Sequence, residues 1–281
     1  MTGAATEFVP ELVAGEDGAA EAAFREARRR ALWRRRLLPV AGIVGALALW
    51  ALLVYALKVP SFVAPSPIAV GATLASKFGL LMTNLLPTAL EALGGFALGN
   101  LAAILIATTF VHKKAMEEAF FPLVVIINTI PVVAKAPILV LLLGNGMEPK
   151  IAIAALISFF PTLVNMVRGL ESVNPQAMEL MRVLSASKRE IFFKLRLYNA
   201  LPYLFSALKI SASTSVIGAI VAEWIGSTTG IGALIIQATY AFDSALLYAT
   251  VIVGSGFSML FFLAITLAER LVVRWQPAVG H

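Results

Sequence analysis

Charged residues along this chain fall in clusters, and between the clusters run long apolar stretches that carry few of them or none. Read as helices, these stretches predict membrane crossings near 37–57, 84–111, 119–143, 151–167, 199–225 and 244–268, since about 20 residues at 1.5 Å each span roughly 30 Å of hydrocarbon. The stretch from Gly230 to Phe242 is glycine-rich and only 13 residues long, which predicts an interfacial or re-entrant segment in place of a seventh crossing. The predicted class is therefore an all-α integral membrane protein with about six transmembrane helices. An even number of crossings puts both termini on one side.

Composition agrees, with 59% hydrophobic residues, 14% charged residues and a mean hydropathy of +0.88 over 281 residues. The net charge of +6 does not point to nucleic acid, because the basic residues flank the apolar stretches, where they set membrane orientation. Seven arginines lie between Arg25 and Arg36, and the alternate loops assigned to the same side add Lys113, Lys114, six basic residues between Arg168 and Arg196, Arg270 and Arg274. The opposite loops hold Lys58, Lys77 and Lys150, a ratio of 17 to 3 that places both termini in the cytoplasm. Residues 1–36 are expected to form a partly disordered cytoplasmic tail, 37–270 the transmembrane domain and 271–281 a second short tail. The acidic, alanine-rich start lacks the pattern of a secretory signal.

Several chemistries drop out. With no cysteine there is no disulfide, thiolate metal site or cysteine nucleophile, and His112 and His281 are too few for a zinc site. The segment GNGMEPK at 144–150 lacks the second glycine-lysine pair of a phosphate loop, so the chain is not expected to hydrolyse ATP itself or to hold a cofactor of its own.

The longest internal loop on the basic side, 168–198, carries its own boundary signals. Asn174 is placed to cap a helix with Pro175 in its first turn, where a missing N–H costs nothing. Ser187 followed by Glu190 is a capping box that starts a second short helix, and Ser185-Ala186 form the corner between the two. A structured, charged protrusion is more than a tether needs, so it is expected to dock on a cytoplasmic partner.

This loop and its surroundings resemble the permease subunits of binding-protein-dependent ABC importers, in the nitrate, sulfonate and taurine branch. The similarity covers about residues 37–270 and rests on VPSFVAPSPIAV at 59–70, GFALGN at 95–100, ISFFPTLVNMVRGLESV at 157–173, Glu179 and Leu195 to Leu197 of the loop, and ALPYLFSALKIS at 200–211. Ser185 stands where the family has glycine, and Tyr198 where it has proline. Serine fits a tight corner, whereas losing the proline either straightens the entry to the fifth span or marks one half of an unlike permease pair.

The resemblance implies the remaining parts. Glu179, Arg182, Ser185, Ala186, Ser187 and Arg189 would form a cytoplasmic coupling helix docked on an ABC ATPase subunit that binds ATP and Mg. A second permease copy or a homologue would complete the pathway, and a periplasmic or tethered solute-binding protein would deliver a solute of the nitrate, sulfonate, taurine, pyrimidine or flavin class. The competing class is an ion-coupled secondary transporter or channel, which predicts inverted repeats with charged residues at mid-membrane in both halves. No such repeat is visible in the sequence.

Individual polar residues admit two readings. Glu91 lies inside a predicted span, where an ionisable group costs about 3 kcal/mol and is often functional, or else near the outer interface. Glu223 precedes Trp224, an interface-loving residue, and is read either as an outer-surface position or as part of a gate. Ser211, Ser213, Thr214 and Ser215 either line a polar path or let helices approach and bond to their own backbone. Gly95, Gly99 and Ala103 recur every four residues as a packing face. Pro131, Pro137 and Pro161 are expected to interrupt spans, Lys135 to snorkel, and Lys209 to lie toward the cytoplasm.

Overall fold

The computed structural model describes Trp33 and residues 37–274, and among them every element of regular secondary structure is a helix. The tail assigned to 1–36, with its arginine cluster, lies outside the described residues apart from Trp33, as does the end of the second tail. The chain divides at Pro60 into two units. The first contributes α1, Leu37–Ala56, whose 20 residues and mean hydropathy of 2.4 make it a membrane span.

The second unit holds α2 (Pro67–Ser76), α3 (Phe78–His112), α4 (Lys114–Thr129), α5 (Val132–Leu143), α6 (Glu148–Glu171), α7 (Pro175–Val183), α8 (Lys188–Ile191), α9 (Leu197–Glu223), α10 (Ile231–Tyr240) and α11 (Ser244–Val272). Its centre is α3, α6 and α9. Lipid offers helices no hydrophobic incentive to associate, so close approach through small residues has to supply it as dispersion. Gly95 and Gly99 do this on α3: a Cβ at either would collide with Ala154 or Ala155 of α6. On the other flank a Cβ at Gly218 of α9 would stand 3.0 Å from the Ala154 Cα, and one at Gly169 of α6 would stand 3.0 Å from the Ala200 Cα. The expected packing face of Gly95, Gly99 and Ala103 is thus realised, and Ala103 is fully buried with Ala107, Phe110, Leu163, Met166 and Leu170.

Between α3 and α6 the stretch expected as one straight span, 119–143, is two helices meeting at 101° where Ile130 and Pro131 break the ladder. Its two ends lie at opposite ends of α6. Lys114 Nζ is 3.2 Å from Glu171 Oε1, whereas Asn145 Nδ2 donates to the Gly226 carbonyl at 3.0 Å, past the far end of α9. The bent pair therefore runs once from one end of the bundle to the other and, read as one broken span, brings the helices long and apolar enough to cross a membrane to six among the described residues. Pro137 and Pro161 do not interrupt their spans as expected: each sits inside a continuous helix, α5 and α6. At ten residues, α10 is about 15 Å long and too short to cross.

Two ion pairs tie α11 to its neighbours. Lys209, about midway along α9, meets Glu269 near the C-terminal end of α11 at 2.8 Å. At the other end Asp243 caps α11 by accepting from the Leu246 N–H at 3.0 Å and pairs with Lys77 at 2.7 Å, and the Lys77 ammonium holds its carboxyl below the usual aspartate range.

Candidate functional site

The loop between α6 and α9 is ordered by short-range bonds. Asn174 Oδ1 accepts from the Gln176 N–H at 2.9 Å and starts α7 with Pro175 in its first turn, as its sequence predicts. The helix ends in a Schellman turn: Ser185 N–H donates to the Arg182 carbonyl and Ala186 N–H to the Met181 carbonyl, both at 2.9 Å. That turn puts Ser185 at φ 53°, the left-handed region that favours glycine. The glycine-to-serine departure is accommodated in the conformation a glycine would take. Ser187 and Glu190 close the expected capping box, the Ser187 N–H donating to Glu190 Oε2 at 3.0 Å and the Glu190 N–H to Ser187 Oγ at 3.2 Å. From Lys188 the chain runs through one π-helical turn, Phe192–Arg196, into α9 without a break, so Tyr198 sits within a continuous helical entry to the span.

Five of the six loop residues singled out in the sequence, Glu179, Arg182, Ser185, Ser187 and Arg189, are exposed, and Ala186 at the corner is half-buried. Arg189 lies 5.8 Å above the Phe193 ring. A signal that charge and capping did not give accompanies them. Leu180, Val183 and Leu184 stand exposed by 59%, 81% and 66% on α7 and its cap.

At the far end of the same helices lies a buried polar cluster. Glu91 of α3 and Glu223 of α9 are exposed by 0% and 1%, and Lys150 of α6 by 8%. Glu223 at the end of α9 is buried while its neighbour Trp224 is exposed by 45%, because the chain after α9 folds back over the carboxylate. Thr88 Oγ1 donates to Glu223 Oε1 at 2.6 Å, and the Gly232 N–H donates to Glu223 Oε2 at 2.6 Å. Gly230, at φ 113°, brings the backbone so close to this carboxylate that any Cβ there would collide with it. Asn84 Oδ1 accepts from the Gly230 N–H at 2.9 Å, and Thr88 Oγ1 accepts from the Ile231 N–H at 2.8 Å. Lys150 Nζ stands 3.2 Å from Glu91 Oε1 and donates to Ser227 Oγ at 2.9 Å. The 224–232 segment is thus pinned to α3, α6 and α9 by side chains from all three.

Sequence reasoning placed Glu91 and Glu223 as candidates but left Lys150 in an outer loop and passed over Thr88. The legible signal was periodic: Asn84, Thr88 and Glu91 fall at i, i+4 and i+7, one polar stripe on an otherwise apolar helix.

The four hydroxyl residues of α9 part company. Ser211 is buried between helices, donating to the Ser158 carbonyl at 3.0 Å and lying 3.0 Å from Thr162 Oγ1, which itself donates to Asn100 of α3. Ser215 is buried and bonds to the Ala212 carbonyl at 3.1 Å. Thr214 is half-buried and bonds to the Ser211 carbonyl at 3.4 Å. Ser213 lines a groove of about 360 Å³ with Gly254, Ser255 and Ser258 of α11. Ser211 and Ser215 therefore serve helix packing here, and Ser213 is the one that faces open space. Lys135 borders a small cavity with Asn128 and Phe159, away from the cluster.

Residues 99–276 match the family described as binding-protein-dependent transport system inner membrane component. The chain is 35% identical over 216 residues to the formylaminopyrimidine transport permease protein ThiX of Halalkalibacterium halodurans, covering 76% of this chain and 86% of that one. It is 32% identical over 221 residues to the riboflavin transport system permease protein RibX of Chloroflexus aurantiacus, covering 78% and 82%. With the putative aliphatic sulfonates transport permease protein SsuC of Bacillus subtilis it shares 28% identity over 255 residues, covering 89% and 90%.

Proposed function

The chain belongs to the inner membrane components of binding-protein-dependent transport systems and is a multi-pass permease subunit of an ATP-driven ABC importer, and on that premise we propose how it is coupled to ATP and what it carries. The α7–α8 knob docks on a separate cytoplasmic ATPase subunit, which binds ATP and Mg and performs the hydrolysis. The carrying observation is the exposed apolar face of Leu180, Val183 and Leu184 on a short helix capped at both ends, set among exposed Glu179, Arg182 and Arg189. An apolar patch rimmed by charge is a docking surface, and a preformed one transmits force where a flexible linker would absorb it. The 17 to 3 bias of Lys and Arg supports the cytoplasmic side for this knob and for both termini.

A second copy of the chain, or a homologue, completes the pathway, and a solute-binding protein delivers the cargo at the end that carries Glu223. ATP closes the two ATPases, draws the knobs together and opens that end. The cargo is a small solute of the nitrate, sulfonate, taurine, pyrimidine or flavin class, a range that includes the solutes for which the relatives are named. Glu223 fastens the 224–232 segment over the pathway as an outer gate, Glu91 supports it through Lys150, and Ser213 lines the path on α9.

Ala186→Trp tests the coupling. Ala186 is half-buried at the corner, so an indole there reshapes the knob while the membrane helices are untouched. The variant is expected to reach the membrane but to lose co-purification with the ATPase and solute-stimulated ATP hydrolysis in lipid vesicles. Parental co-purification and hydrolysis would remove the knob as the coupling element.

A further inference from the structure

Charge counting at the buried cluster leaves a remainder. Two carboxyl groups, Glu91 and Glu223, share one ammonium, that of Lys150, where all three side chains are at least nine-tenths buried. Glu223 is well served by Thr88 and the Gly232 N–H. Glu91 is not: Lys150 stands at ion-pair distance but directs its aligned hydrogen bond to Ser227, and neither Glu91 oxygen receives a hydrogen bond. The two carboxyl groups share one buried pocket, Lys150 standing against Glu91 and Thr88, one turn before Glu91 on α3, against Glu223. Thr88 and Glu91 are three residues apart on α3, so the hydroxyl that grips Glu223 and the carboxyl of Glu91 share one face.

Ionised carboxylates are acceptors only, so contact between two of them away from water is repulsive, and such pairs resolve it by keeping one proton. Among the described residues no second cation pairs with either carboxylate. The segment 224–230 and α10 carry no charged residue. Among the described residues near this end of the surrounding elements, the other titratable groups are Glu148 at the exposed start of α6, Tyr240 of α10, Tyr248 of α11, and Asp243, which is held by Lys77.

We propose that Glu91 and Glu223 hold one proton between them, so that the cluster is a neutral proton-binding site made of one carboxylic acid, one carboxylate and one ammonium. The proton comes from water and lies as O–H···O between the two carboxyl groups, giving Glu91 the hydrogen bond it otherwise lacks. Because Glu223 also holds the 224–232 segment, the proton stays only while that segment covers the site. Water reaching the cluster solvates both carboxylates and takes the proton away. Resting on the permease reading above, this makes opening of that end a proton-releasing step.

The site can be read without transport. In the full-length chain assembled with its ATPase in lipid nanodiscs, infrared spectra at neutral pH are expected to contain a protonated-carboxyl C=O band that shifts in D2O. Glu91→Gln is expected to lose that band yet assemble at parental yield, because the amide replaces the donor and one carboxylate remains against Lys150, whereas Glu223→Gln, whose amide can accept only one of the bonds from Thr88 and Gly232, is expected to lose the band and assemble at reduced yield. The double variant leaves Lys150 without a counter-charge and is expected to lower the assembled yield more than tenfold. The proposal is overturned if the parent has no such band while both single variants assemble, or if Na+ abolishes the band, which would make a metal cation the neutralising partner. Solute uptake by the same complex in vesicles separates the two readings: uptake without the band keeps the permease and removes the proton, and the band without uptake does the reverse.

Discussion

The α7–α8 knob and the Glu91–Lys150–Glu223 cluster sit at opposite ends of the same helices and hold their order by opposite means. Every bond that shapes the knob joins residues within five positions of each other: Asn174 to Gln176, Met181 and Arg182 to the Schellman turn, Ser187 to Glu190. The bonds that shape the cluster reach across the chain, 135 residues from Thr88 to Glu223, 146 from Asn84 to Gly230 and 77 from Lys150 to Ser227. Local order leaves the knob's surface free for a partner. Long-range order makes the cluster a fastening between helices, able to stay closed or come apart only as the helices move.

The comparison breaks first at Lys150. If the cluster fastens α3, α6 and α9, then Lys150→Met leaves a buried carboxylate without its cation, a loss of about 3 kcal/mol or more. Thermal melting of the detergent-solubilised complex at neutral pH checks it, with a clear fall in the midpoint expected. A midpoint equal to the parent's would mean that the cluster holds nothing together.

At the knob the opposite pattern is expected. Val183→Asp and Leu184→Asp place charge on residues that already face water, so melting should stay parental. ATPase affinity in a pull-down titration should nonetheless drop by about tenfold or more, some 1.4 kcal/mol. A drop in melting with unchanged affinity would reverse the roles assigned to the two ends. Ser187→Ala is a milder test of the same distinction. Losing the cap is expected to cost about 1 kcal/mol of local helix stability and to speed amide exchange over 188–191, with exchange in α10 unchanged.

The same contrast explains what could be read from residues alone. Caps, proline positions and the corner at Ser185-Ala186 were legible because their partners are adjacent in sequence. The apolar stretches were legible because bilayer thickness fixes their length. The bend at Pro131 was expected, but its 101° angle depends on neighbouring helices. Pro137 and Pro161 were expected to break spans, and they do not, since a proline removes one ladder bond and surrounding packing keeps the helix running. Lys150 was assigned to a loop because it falls between the apolar stretches 119–143 and 151–167, and only the return of the 224–232 segment shows that it is covered. Glu223 beside Trp224 carries the same lesson, because burial of a polar group between elements leaves no mark in either element's own sequence.

The smallest expected effect lies at the same end as the cluster but on its exposed edge, and it separates buried fastening from surface pairing. Lys77 and Asp243 meet at 2.7 Å with side chains exposed by 40% and 35%, so solvent screening reduces the pair to a few tenths of a kcal/mol. The bond to the Lys77 ammonium holds the Asp243 carboxyl below its usual range. A depressed carboxyl contributes stability that is complete above the ordinary aspartate value of about 4 and is lost as pH falls through the lowered value. Asp243→Asn keeps an oxygen to accept from the Leu246 N–H and so removes mainly the charge pair. Parent and variant should differ by a few tenths of a kcal/mol at neutral pH and converge in acid, as read by melting midpoints across a pH series. A difference at neutral pH as large as that of Lys150→Met would mean that the pair at the rim, and not the buried cluster, fastens this end of the molecule.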